Sequence, residues 1–245
     1  MSHLDKAQNI SKLPKSNLWV IYGKSSSGKT ELLSTFPKPM LYVRIGDDGS
    51  NTISGKKGIK ALAPNSLTEL KEIAQELKTD SKYVTVAVDT FGLIVNEWID
   101  KNAIQKKKKM TQQMWGDVKT DTEELIKLFH IIARNKIVVL TCHEVADTIE
   151  GYEEEISPDV RPNVSRGART YLEGMANFGI HTTVIEKEKE KPDGSIVTIT
   201  RHAAHLDTNP YYWVKTQKPA NIKLPKLVYN PTYDKIIKLM EGETQ

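Results

Sequence analysis

Two rhythms of apolar and polar residues alternate along this chain, and the switches between them mark its elements. Leu18-Trp19-Val20-Ile21-Tyr22 is an unbroken apolar run of strand length, the pattern of a buried strand. Thr30-Glu31-Leu32-Leu33 opens a helix, which Pro37 and Pro39 end. Met40-Leu41-Tyr42-Val43-Arg44-Ile45 predicts a second strand, and Gly55 to Pro64 reads as a glycine-punctuated loop. Leu67, Leu70, Ile73, Ala74 and Leu77 then recur at helical spacing, with Ser66 and Glu69 placed as a capping pair. The β-branched run Tyr83 to Thr90 predicts a further strand, followed by a helix with Phe91, Ile94, Val95, Trp98 and Ile99 facing the core. Leu125, Ile126, Phe129, Ile132 and Ala133 mark another amphipathic helix, and Ile137 to His143 another strand.

Beyond that strand the rhythm fades. Residues 144–168 are rich in Glu, Pro, Gly and Arg and read as a long loop. Tyr171 to Phe178 predicts a helix, and His181 to Glu190 and Ser195 to His202 flank the turn signal Pro192-Asp193-Gly194. Asp234 to Met240 predicts a short closing helix. Strands alternating with helices give an α/β class: a doubly wound, mainly parallel sheet extended by a C-terminal β-hairpin. Polar residues 1–16 read as a flexible leader, and residues 17–245 as one domain.

Composition narrows the class without naming a chemistry. The chain has 245 residues, 38% of them hydrophobic, enough for a sizeable core. No apolar run is long enough to span a bilayer, and Met1 to Ser16 lacks the apolar centre of a signal peptide, so a cytoplasmic protein is expected. The single Cys142 excludes an intramolecular disulfide and a cysteine-based zinc site. A net charge of +4 permits an anionic partner but does not demand one.

One stretch carries a definite chemistry. Gly23-Lys24-Ser25-Ser26-Ser27-Gly28-Lys29-Thr30 fits the phosphate-binding pattern GxxxxGK[ST] in full, between a strand and a helix as the pattern requires. Glycines let the backbone wrap phosphates closely, and the loop and helix-start N–H groups point at negative charge. Lys29 is placed to reach the β- and γ-phosphates of ATP, and the Thr30 hydroxyl to ligate Mg²⁺. Asp89 ends the strand Val86-Ala87-Val88-Asp89, where a carboxylate beside the loop holds the same Mg²⁺ directly or through water.

In this order the motifs resemble the RecA-like ATPase core. More narrowly, the chain is similar to phage-encoded nucleotide-binding proteins of that fold, some of which act as single-strand annealing recombinases. The resemblance rests on Gly23–Thr30, Ile45-Gly46-Asp47-Asp48-Gly49, Val86–Thr90, Gln113-Met114-Trp115-Gly116 and Val139–His143, and covers roughly residues 17–230. It implies that Asp48, with Asp47 as its alternate, takes the place of the usual Glu that orients the attacking water. Asp is one methylene shorter, so slow hydrolysis, stimulated by DNA, is expected. It implies too that His143 senses the γ-phosphate, and that Lys215 and Lys218 in Trp213-Val214-Lys215-Thr216-Gln217-Lys218 complete a neighbouring subunit's site in a ring or filament.

The same resemblance places single-stranded DNA on two loops, about 101–116 and 147–169. The first holds Lys106, Lys107, Lys108 and Lys109 with Trp115, a cationic clamp beside an aromatic platform. The second holds Arg161, Arg166 and Arg169, against nearby Glu150, Glu153, Glu154 and Glu155. An ATP-dependent single-stranded DNA-binding protein of phage recombination, with a single-strand-binding protein as a further partner, is the leading expectation. An AAA+-type helicase loader, a small-molecule phosphotransferase and a nucleotide-dependent scaffold are the alternatives.

Overall fold

The computed structural model describes residues 16–46, 50–147, 159–190 and 195–243. The expected leader except Ser16, Asp47 and Asp48, the middle of the second loop and the hairpin turn lie outside the described residues. Nine strands are described: β1 (Leu18–Gly23), β2 (Met40–Arg44), β3 (Ile59–Leu62), β4 (Thr85–Asp89), β5 (Ile137–Asp147), β6 (Asp159–Pro162), β7 (Phe178–Glu190), β8 (Ile196–His205) and β9 (Leu227–Tyr229). The helices are α1 (Lys29–Leu33), α2 (Leu67–Leu77), α3 (Ile94–Ile99), α4 (Gln112–Ile132), α5 (Arg166–Met175) and α6 (Tyr233–Glu241).

The strands form one sheet in the order β3-β2-β4-β5-β1-β7-β8-β9, with β6 paired antiparallel to the far end of β5. From β3 to β7 all neighbours on that path are parallel, and the β7–β8 hairpin and β9 add antiparallel strands. The expected doubly wound sheet with a late hairpin is therefore observed. Central strands read as continuous apolar runs because both faces are covered. Leu18, Val20 and Tyr22 of β1 enter a core with α2, α4 and α5, whereas Trp19 and Ile21 enter a second core with α1 and α6. Trp19 stacks on Phe178 at 4.1 Å and meets Phe36 edge-on at 5.2 Å.

Local chemistry moves several expected boundaries. Ser66 caps α2 as expected, accepting from Glu69 N at 3.1 Å, but Glu69 Oε2 accepts from Asn65 N rather than from the cap residue. Ile59–Leu62, expected as part of a loop, forms the edge strand β3 against β2. Thr111 caps α4 by accepting from Met114 N at 3.2 Å, so residues 112–116 are helical and not part of the first loop. The second loop is likewise shorter than 147–169: β5 runs on to Asp147, pairs with β6, and α5 starts at Arg166.

Candidate nucleotide-binding site

Register places the phosphate-loop sequence at the centre of the sheet. Gly23 ends β1 between His143 of β5 and Thr182 of β7. The loop then turns through left-handed backbone at Ser26 (φ 62°) and Gly28 (φ 92°) before α1 begins. At Gly28 that conformation and the space both exclude a side chain: a Cβ would lie 2.9 Å from His202 Nδ1. Lys29, only 7% exposed, donates from Nζ to Gly23 O at 3.0 Å and Lys24 O at 2.7 Å, so its cation lies within the loop's curve. Ser27 and Thr182 share a buried hydroxyl–hydroxyl hydrogen bond of 2.7 Å, which ties the loop to β7.

Asp89 is the second pole of the site. It is 1% exposed at the end of β4 and receives hydrogen bonds at both carboxylate oxygens. Oδ2 accepts from Thr30 Oγ1 and from Tyr42 Oη, each at 2.9 Å. Oδ1 accepts from Thr90 Oγ1 at 3.2 Å and from the Thr141 hydroxyl. A buried carboxylate is tolerable only with such partners. The direct Thr30–Asp89 contact brings one hydroxyl and one carboxylate to a single point. That donor set fits Mg²⁺, which takes few protein ligands and completes its shell with water and phosphate oxygens. When bound, the ion would neutralise charge on the phosphates.

A cavity of about 500 Å³ opens over this point, lined by Ser25, Ser26, Gly28, Lys29, Thr30 and Asp89 together with Glu31, Asn51, Thr52, Thr90 and His202. The expected ATP- and Mg²⁺-binding residues thus converge. Tyr42, Thr182 and His202 belong to no motif in the sequence, and Thr141 lies in the Val139–His143 segment, where the resemblance gives it no role. Tyr42 and Thr141 lie on strands that the apolar pattern predicts, facing Asp89, and alternation along those strands is the one signal that could point to them. Thr182 and His202 come from the hairpin, with no local pattern to mark them.

The other expected site residues are dispersed. His143 is half-buried, paired in register with Gly23. Asp48 lies outside the described residues, three positions before Asn51 on the cavity wall. Lys215 donates to Glu173 O at 3.0 Å and Gly174 O at 3.1 Å, and Lys218 to Ile222 O, so both fold back on their own chain. Lys106, Lys107, Lys108 and Lys109 are exposed, and Trp115 is 48% exposed on α4, while Met114 packs on Val95, Trp98 and Val118. The three arginines divide. Arg166 is exposed, Arg161 pairs with Asp159 at 2.6 Å and Glu173 at 3.4 Å, and Arg169 is buried on α5. The expected arginine loop therefore offers Arg166 alone as an exposed arginine side chain.

Behind the loop lies a buried polar and aromatic cluster. Tyr22, next to Gly23, donates to Val160 O at 3.1 Å and Trp213 O at 2.8 Å. His181, 2% exposed, lies 2.8 Å from Glu144 Oε2 through Nε2, and stacks on Tyr212 at 3.9 Å. Burial lowers the His181 pKa despite the Glu144 carboxylate, so the neutral ring donates its Nε2–H to that carboxylate. His205 stacks on the same Tyr212 at 4.7 Å, and burial, with His181 nearby, pulls its pKa down to about 4.

A GxxxxGK[ST] loop between strand and helix, faced by a buried strand-terminal Asp that bonds its Thr, defines a P-loop nucleoside triphosphatase. Residues 15–212 match the family described as an AAA domain, and the chain belongs to that family. It is a P-loop ATPase. No curated protein matches it. Among the described residues, no helix is long and apolar enough to cross a membrane.

Proposed function

We propose that this ATPase binds single-stranded DNA in phage recombination, as a RecA-like ring or filament that anneals or pairs strands. The observation that carries the reading is the connection between α3 and α4. It exposes four consecutive lysines, with Trp115 48% exposed on the first turn of α4 and Ile104 65% exposed just before the lysines. Lysines neutralise successive phosphates, and a solvent-facing indole offers a face on which any base stacks. The small cluster of Val95, Trp98 and Val118, with Met110 and Met114 against it, anchors that connection to α3. Helix α3 in turn follows Asp89 by a single turn, Phe91–Leu93, so the metal-binding carboxylate and the lysines are close along the chain.

In this reading Lys29 and the loop hold the ATP phosphates, and Thr30 and Asp89 hold Mg²⁺. Asp48 orients water and His143 reports the γ-phosphate. A trans role for Lys215 and Lys218 requires a neighbouring subunit to draw them off the carbonyls they now bond. The AAA+ loader reading calls for a helical lid, whereas the described residues after α5 form a hairpin, β9 and one short helix. A phosphotransferase lid calls for arginines that swing, and Arg161 and Arg169 are ion-paired or buried.

The test is the ATPase rate with and without single-stranded DNA at low and moderate salt. Stimulation that fades as salt rises is expected. A measurable turnover indifferent to DNA under both conditions would sink the recombination reading and leave the ATPase assignment standing.

A further inference from the structure

Residue His202, on the β-hairpin, sits apart from the phosphate-binding sequence by more than 170 positions, yet lines its cavity. The sheet order decides which part of a nucleotide it faces. Asp89 ends β4, two strands to one side of β1, and His202 lies on β8, two strands to the other. The metal-binding pair Thr30–Asp89 fixes the β- and γ-phosphates toward β4 and β5, where His143 also stands. The remainder of the nucleotide must then leave the loop toward β7 and β8. With strands about 4.8 Å apart, β8 is roughly 10 Å from β1, within reach of a sugar and base attached to phosphates held at the loop.

His202 is suited to meet that end. Its side chain is exposed, on the sheet face that also carries Ala204 and Leu206 in the core with α1. Its ring lies against Gly28, where a Cβ would come within 2.9 Å of Nδ1 and 3.0 Å of Cγ. The antiparallel register holds it opposite Val184, on a hairpin already tied to the loop through Thr182 and Ser27. We propose that His202 is the nucleoside-contacting residue of the site, its imidazole stacking on the base of the bound triphosphate. The proposal rests on the P-loop reading of the cavity. It assigns the hairpin a part in nucleotide recognition, beyond bracing the loop.

The test separates nucleoside from phosphate by titrating two ligands with Mg²⁺ present: ATP, and inorganic tripolyphosphate, which lacks sugar and base. In His202→Ala, ATP affinity is expected to fall about tenfold, the scale of one base–aromatic stack, with tripolyphosphate affinity unchanged within about twofold. His202→Phe keeps a stacking face and restores most of the ATP affinity. An equal loss on both ligands overturns the proposal and makes His202 a support for Gly28. An unchanged ATP affinity in His202→Ala overturns it as well. Wild-type protein that binds neither ligand defeats the P-loop reading instead, so the two failures are distinct.

Discussion

The nucleotide site and the lysine connection are both rich in charge, but they hold it in opposite ways. Around the P-loop each functional side chain is fixed by a partner: Lys29 on two carbonyls, Ser27 on Thr182, Thr30 on Asp89, and Asp89 on four hydroxyls. At the α3–α4 connection the four lysines stand in water, Lys106 reaching only as far as Asn102 at 3.2 Å. The first arrangement is set before a ligand arrives, and selects by geometry as well as by charge. The second can follow any polyanion, and its attraction weakens with salt. A buried network is also less forgiving, since losing one partner leaves the others unsatisfied.

Removing one cation from each region should therefore give very different results. Lys29→Ala is expected to lower ATP affinity about a hundredfold or more, as for a buried charge that meets phosphate. Stability should fall by about 2–3 kcal/mol, since two hydrogen bonds from the ammonium to carbonyls are lost while the cost of burying that charge is relieved. Calorimetric titration with ATP, beside a thermal melt, checks both. Retained ATP affinity would break the comparison at its stronger end, because the loop would then not be the phosphate site.

The lysines should instead act in aggregate. Changing Lys106–Lys109 together to Ala is expected to weaken single-stranded DNA binding by about ten- to a hundredfold at low salt. The slope of log affinity against log salt should shrink by up to about 3, at roughly 0.7 for each phosphate no longer neutralised. ATP affinity without DNA should stay at its wild-type value. Fluorescence anisotropy across a salt series measures the slope, and an unaltered slope would reduce the run to a solvated surface. Trp115→Ala should add a smaller, salt-independent loss.

How much of each region is legible in the sequence follows from where its determinants lie. The P-loop is legible because eight consecutive residues carry it, and Asp89 because a β-branched run ends there. The hairpin is marked by Pro192-Asp193-Gly194. Strand β3 is four residues between Gly58 and Ala63-Pro64, too short for a periodic signal, and exists because the edge of β2 offers it partners. The start of α4 is hidden when Gln113–Gly116 is taken for loop, although Thr111 carries a capping hydroxyl. Thr182 and His202 are out of reach for another reason. They join Ser27 and Gly28 through strand register across more than 150 residues, and no local pattern encodes register between strands so distant.

The smallest expected effect belongs to the cluster behind the P-loop, where fixed geometry is coupled to proton uptake. His205 has its pKa drawn down from 6.5 to about 4, first by burial and then by His181, whose own pKa is lowered by burial against the pull of Glu144. Between about pH 4 and 6.5 the unfolded chain therefore binds more protons at these positions than the folded one. Stability must rise with pH across that window and be indifferent to these groups above it. Because His205 is only half-buried, solvent screening trims its share to the order of 1 kcal/mol by pH 5. His205→Phe keeps a ring against Tyr212 but removes the titration, so its stability should fall less steeply than wild type between pH 6.5 and 5. Urea melts at half-unit pH steps resolve the two slopes. If they run parallel, proton uptake by His205 contributes nothing, and the rigidity behind the loop is a matter of packing alone.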